Sequence, residues 1–130
     1  MLAYISGILE YKMEDHIVVD VNGIGYKIFM SQTAIEKLEN CGKKVKVHTY
    51  FKVREDDMSL FGFNTKEELN MFELLISVSG VGAKTALTMQ DNIEPSKFAL
   101  AVITNDIKTL TKIPGIGAKS ARKNCVRTKR

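Results

Sequence analysis

The chain of 130 residues has no tryptophan, and only two prolines, two cysteines and two histidines. Cys41 and Cys125 lie far apart, and His16 and His48 are isolated, so no zinc-ligand spacing is present and no metal or other cofactor is expected. No apolar run approaches the ~18 residues of a membrane span. The start, Met1-Leu2-Ala3-Tyr4-Ile5-Ser6-Gly7, lacks a basic n-region and a cleavage signal, so a cytoplasmic protein is expected. Charge of one sign is also scarce over most of the length. Residues 1–65 carry 8 basic and 9 acidic groups, and residues 66–118 carry 5 and 6. The overall +4 therefore comes from the last twelve residues, which hold six basic groups and no acid. A basic end of this kind favours acidic partners, or is simply solvated. With 45% hydrophobic and 26% charged residues the chain is globular, sized for one ordinary domain or two small ones.

What is present is a repeated stretch. Residues 78–86 read Val-Ser-Gly-Val-Gly-Ala-Lys-Thr-Ala, and residues 113–121 read Ile-Pro-Gly-Ile-Gly-Ala-Lys-Ser-Ala. Both glycines, the alanine after them, the lysine and the last alanine are identical. Each copy ends one apolar helical pattern and opens another, so the unit reads as helix, Gly-x-Gly hairpin, helix. The glycines permit positive φ and leave no Cβ between backbone and ligand. The following helix start offers outward N–H groups and a dipole that favours an anion. Lys84 and Lys119 stand one turn in, where they can reach the same anion. Two such mouths suit two phosphates of a nucleic-acid strand. Two other glycine motifs fail on spacing. Ala83 and Ala118 stand where a P-loop needs glycine before its lysine. Thr85 and Ser120 stand where a dinucleotide fingerprint needs its third glycine. A pair of plain helix–helix turns remains the alternative.

The chain ahead of the repeat reads as strands. Leu2 to Leu9 is an apolar run broken by Gly7, a candidate bulge or barrel bend. His16 to Val21 and Tyr26 to Met30 follow, separated by the turn residues Asn22-Gly23-Ile24-Gly25. Ser31 can cap a helix running to about Asn40. Residues 44–53 alternate, with Val45, Val47, Thr49, Phe51 and Val53 on one face and Lys44, Lys46, His48, Tyr50 and Lys52 on the other. Arg54-Glu55-Asp56-Asp57 is a charged turn, and Met58 to Phe63 a fifth strand. Five strands with one helix between the third and fourth predict an OB-fold barrel, with another small barrel or sandwich as the alternative. Tyr26, Phe29, Tyr50, Phe61 and Phe63 are candidates to stack a single strand, or else fill the core or a subunit contact. From Thr65, whose Thr-x-x-Glu68 spacing is a capping box, the pattern is helical. Leu69, Phe72, Leu75 and Ile76 form the first apolar stripe. A helix from Ala83 to Asp91 follows, then one opened by Pro95 with Phe98, Leu100, Ala101 and Val102 to pack, then one capped by Asn105 or Asp106. The expected class is α+β with two domains. Residues 1–64 form the OB-fold-like barrel, and residues 65–130 an all-α domain with tandem helix-hairpin-helix motifs.

These features together resemble the RuvA family of Holliday junction branch-migration subunits. The resemblance rests on Tyr4-Ile5-Ser6-Gly7, Val21-Asn22-Gly23-Ile24-Gly25-Tyr26, Val53-Arg54-Glu55-Asp56, Leu60-Phe61-Gly62-Phe63 and the two hairpins, and extends to about Ala121. It implies a homotetramer of barrels around a four-way DNA junction, with hairpins gripping phosphates of the arms. The implied DNA-binding residues are Gly80, Val81, Gly82, Lys84 and Thr85, with Gly115, Ile116, Gly117, Lys119, Ser120 and Lys123. The family's acidic pin falls on Glu55 and Asp56, at the junction centre, where negative charge keeps strands apart. Without the resemblance, Glu55, Asp56 and Asp57 read as a solvated β-turn. The RuvB ATPase and the RuvC resolvase are the family's partners. The chain departs from the family after Ala121. Arg122 to Arg130 offer little apolar stripe, and the family's linker and third, RuvB-binding domain do not follow. The end therefore reads as truncated, frame-shifted or trimmed, and RuvB recruitment is in doubt. Ala118 also stands where the family commonly has lysine, which implies a looser second grip.

The leading reading is a non-catalytic, structure-selective DNA-binding subunit of the cytoplasm. A glycosylase or lyase built on helix-hairpin-helix units needs a catalytic carboxylate soon after the hairpin. No acid follows Gly117, and Asp91 and Glu94 read as a helix end and a turn. The remaining class is a generic helix-hairpin-helix DNA-binding or oligomerisation module.

Overall fold

Alternating apolar and polar residues build the first part of the molecule. The computed structural model describes residues 1–104, and the chain divides into two compact units, Met1–Leu69 and Asn70–Arg130. The first unit holds β1 (Tyr4–Lys12), β2 (His16–Val21), β3 (Ile24–Phe29), α1 (Gln32–Glu36), β4 (Lys44–Val53) and β5 (Met58–Phe63). The strands close a barrel in the order β1-β2-β3-β5-β4, and β4 pairs back onto β1. The β3–β5 pair is parallel and the other four are antiparallel. One helix between β3 and β4 completes an OB-like barrel, as the strand count predicts. Leu9, Ile17, Val19, Ile28 and Val47 are fully enclosed at its centre.

The period of two is obeyed where it was clearest. Val45, Val47 and Thr49 of β4 are buried, while Lys44 and Lys46 are exposed. Val53 belongs to the inward register but is exposed, because its strand partner is Met58, itself exposed at the start of β5. β1 is longer than its apolar run suggests, and continues through Glu10-Tyr11-Lys12. Its bulge lies between Leu9 and Tyr11, not at Gly7. Gly7 answers a different need. A Cβ on it would lie 2.4 Å from the Asp20 carbonyl oxygen and 2.9 Å from Val21 Cγ2. The barrel wall therefore closes over a backbone that has no side chain.

The hairpin between β2 and β3 turns on Asn22 and Gly23, both at positive φ (53° and 89°), the pairing that a two-residue type I′ turn requires. Asp20 Oδ1 accepts a hydrogen bond from the Gly23 N–H at 2.8 Å. α1 starts where expected, with the Ser31 hydroxyl accepting from the Ala34 N–H at 3.2 Å. It ends at Glu36, well before Asn40. Bonds to β1 draw the following segment away from the helix path. Lys12 Nζ donates to the Leu38 carbonyl at 3.1 Å, and the Gly42 N–H donates to the Leu9 carbonyl at 2.7 Å.

α2 (Lys66–Ile76) opens on the expected Thr65 cap, with the Thr65 hydroxyl accepting from the Glu68 N–H at 3.2 Å. The Glu68 carboxylate accepts from that hydroxyl, where a full box would have it accept from the Thr65 N–H. It buries Met71, Phe72 and Leu75, and leaves Leu69 and Ile76 half-buried, so the stripe is rotated toward Met71 from the expected one. The second unit continues with α3 (Ala83–Gln90) and α4 (Pro95–Ile103). α4 starts with proline at its first turn and buries Phe98, Ala101 and Val102, while Leu100 is exposed. The expected helix at Asn105 or Asp106 and the second hairpin lie outside the described residues.

Candidate nucleic-acid interface

The first glycine hairpin forms as a tight turn between α2 and α3. The Val81 N–H donates to the Val78 carbonyl at 3.1 Å, and the third residue of that turn, Gly80, has φ 86°. A residue with a Cβ is strained at that φ, which explains glycine there. Val81 turns inward and is buried, so it can offer a ligand only its backbone. Gly82 is the N-cap of α3, with extended φ −85° and ψ 170°, and it makes no side-chain cap. Nothing on the N-cap therefore competes for the amides of the first helical turn. Among the described residues, and apart from their own chain neighbours, no heavy atom lies within 4 Å of where a Cβ would stand on Gly80 or Gly82. An anion could come up against bare backbone at both positions. Lys84 and Thr85, in the first turn of α3, are exposed. The arrangement is an open helix N-terminus with a cation beside it, the chemistry a phosphate needs.

The acidic turn lies in the first unit, as the four-residue loop between β4 and β5. The Arg54 N–H donates to the Asp57 carbonyl at 2.7 Å, which closes the loop above the terminal Val53–Met58 pair. Asp57 Oδ2 accepts from the Ser59 hydroxyl at 2.8 Å, so that carboxylate is tied back to β5. Glu55 and Asp56 are exposed and project from a backbone held on both sides by strands. The loop thus presents adjacent negative charges at the tip of a rigid hairpin.

The candidate stacking residues divide. Phe61 and Phe63 are buried, at 3% and 1% exposure, so neither can stack a base. Tyr26, Phe29 and Tyr50 are half-buried. Phe29 is itself packed, with its ring centroid 5.7 Å from that of Phe61 and 6.0 Å from that of His16. Lys27 Nζ lies 5.1 Å from its centre. The sequence reading missed Tyr4, which is 55% exposed, with Lys46 Nζ 4.3 Å from the centre of its ring. Only the β1–β4 register brings those two residues together, and spacing along one strand does not reveal it. Gly115, Ile116, Gly117, Lys119, Ser120 and Lys123 lie outside the described residues. Among the described residues no cluster of His, Cys, Asp and Glu could hold a metal ion. No described helix is long and apolar enough to cross a membrane.

Comparison with known proteins gives two family matches. Residues 1–62 match the RuvA N terminal domain, and residues 72–123 match the SAM-like helix-hairpin-helix tandem. Among individual proteins, the Holliday junction branch migration complex subunit RuvA of Acetivibrio thermocellus is 58% identical over 123 residues, covering 95% of this chain and 61% of that protein. The subunit of the same name from Ruminiclostridium cellulolyticum is 50% identical, with 95% and 62% covered. That of Lachnospira eligens is 42% identical over 129 residues, with 99% and 62% covered. The chain thus spans about six-tenths of the length of these relatives.

Proposed function

Because the chain belongs to the RuvA family, we propose that it is a structure-selective, sequence-independent binder of four-way DNA junctions, the non-catalytic subunit of a branch-migration complex in recombination and repair. The observation that carries this reading is the hairpin before α3, where Gly80 and Gly82 are open and the helix start has no side-chain cap. Gly80, Val81 and Gly82 offer backbone to a phosphate, and Lys84 and Thr85 flank it. By sequence identity of the two hairpins, Gly115, Ile116, Gly117, Lys119 and Ser120 take a second phosphate, with Lys123 nearby. Backbone amides read phosphate and not bases, so the grip is independent of sequence and sensitive to salt.

Glu55 and Asp56 take the opposite role in this reading. They repel phosphates from the junction centre and hold strands apart. A homotetramer around the junction, partnership with the RuvB ATPase and the RuvC resolvase, and a cytoplasmic location belong to the same proposal. The division of labour follows the barrel, residues 1–64, and the helical part, residues 65–130. An electrophoretic titration of a four-way junction against linear duplex of equal length tests it. Preference for the junction is expected. Equal affinity for both forms would return the chain to a generic helix-hairpin-helix binder, and no binding to either would leave an oligomerisation module.

A further inference from the structure

The first 65 residues carry a slight excess of acid, yet their cations are not scattered. Residues 41–54 hold Lys43, Lys44, Lys46, Lys52 and Arg54, and no carboxylate. The β4 register sorts them further. Val45, Val47 and Thr49 face the core, so Lys44, Lys46, His48, Tyr50 and Lys52 share the outward face. Their strand partners on β1 are Ile8, Ser6 and Tyr4, opposite Lys44, Lys46 and His48, and none of these is acidic. None of the three lysines has an ion-pair partner among the described residues. The charge is therefore left to solvent, or to something that brings anions.

Two further features decide what kind of polyanion fits. Residues two apart on a strand are ~6.7 Å apart, so Lys44 and Lys46 stand at a spacing comparable to successive phosphates of an extended strand. Lys52, six residues on and ~20 Å further along the same face, continues the line beyond His48 and Tyr50. An aromatic ring stands on the same face. Tyr4 is exposed and carries Lys46 Nζ over one face of its ring, and the segment before it is fixed to β4, because the Thr49 N–H donates to the Ala3 carbonyl at 3.0 Å and the Thr49 hydroxyl donates to the Leu2 carbonyl. A held, exposed ring next to a row of cations suits a base stacked beside its own backbone. A duplex keeps its bases stacked on each other and has no use for the ring. We infer that the outward face of β4, with Tyr4 of β1, binds a single nucleic-acid strand, its phosphates along Lys44, Lys46 and Lys52 and a base on Tyr4. This surface is separate from the glycine hairpins and goes beyond the junction reading.

The test uses the full chain and a fluorescent oligothymidine, titrated by anisotropy at several salt concentrations. Replacing Lys44, Lys46 and Lys52 together by glutamine is expected to flatten the log K against log salt slope by about two, from three lost contacts on a single strand. Tyr4→Ala is expected to weaken binding roughly tenfold, and Tyr4→Phe to keep it, since stacking needs the ring and not the hydroxyl. An unchanged slope in the lysine variant overturns the inference. So does parent affinity in Tyr4→Ala, or a parent that does not bind oligothymidine. A change of oligomeric state in the lysine variant on gel filtration would overturn it too, by assigning the face to a contact between copies. A four-way junction titrated in parallel against Lys84→Ala reads the hairpin proposal separately. Weaker junction binding there with oligothymidine binding intact supports the hairpin reading independently of the strand surface, whereas unchanged junction binding counts against the hairpin reading alone.

Discussion

Gly7 has no room for a methyl group. The Asp20 carbonyl oxygen lies 2.4 Å from the site of its missing Cβ, and that oxygen is backbone, which cannot swing aside as a flexible side chain would. Gly7→Ala must therefore push β1 and β2 apart near the middle of the barrel wall. Overpacking of this kind costs about 1–3 kcal/mol, and urea unfolding should show the loss as a lower midpoint with little change in slope. An unchanged midpoint would mean that the two strands separate freely there. Thr65 makes a gentler case at the same scale. Its hydroxyl accepts from the Glu68 N–H and donates to the Glu68 carboxylate at 3.3 Å. Thr65→Ala removes the cap and should cost about 1 kcal/mol, and Thr65→Ser should restore most of it in the same unfolding measurement.

At the scale of elements, the hairpin before α3 joins backbone conformation to a proposed ligand. Gly80 at φ 86° cannot become alanine without strain, although no atom of the described residues beyond its chain neighbours crowds the position. Lys84 is exposed in the first turn of α3. If it touches a phosphate, Lys84→Ala should lower the slope of log K against log salt on duplex DNA by about 0.9, with little change in unfolding midpoint. An equal slope for variant and parent would remove Lys84 from the interface. This hairpin was legible in the sequence because glycine, glycine and lysine at fixed offsets carry a backbone meaning that tertiary packing does not alter. β2 and β4 were legible for a related reason, since a buried face imposes a period of two. The misread elements depend on long-range partners. α1 stops short because Lys12 and Leu9 of β1 take backbone groups of the chain beyond it. β1 runs past its apolar stretch because β2 continues to pair with Tyr11 and Lys12. Phe61 looks like a surface candidate by alternation, since its strand partners Phe29 and Tyr50 lie on the outward face, yet it is buried. The pairing of Tyr4 with Lys46 was invisible for the same reason, because it exists only in the register of two strands far apart in sequence.

The acidic turn acts at the scale of the whole molecule, since its proposed effect is on the shape of DNA the protein selects. The hairpin between β4 and β5 holds the backbone of Glu55 and Asp56 through the Arg54–Asp57 bond while their side chains project. Neutral substitution at such exposed positions should change stability by no more than about 0.5 kcal/mol, so any effect on DNA is separable from folding. If the turn faces phosphates, its charges oppose binding through repulsion screened over about 8–10 Å at ordinary salt. Glu55→Gln combined with Asp56→Asn should then tighten binding. The gain should be larger on linear duplex than on the four-way junction, because duplex suffers the repulsion that an opened centre avoids. Preference for the junction accordingly falls. The sign is what discriminates. Loss of a favourable contact would weaken binding, whereas loss of a repulsion strengthens it. Titration of both DNA forms against both proteins at one salt concentration reads the result directly. Equal affinities for variant and parent on both forms would make the turn an ordinary solvated loop, and would leave junction preference to the hairpins alone.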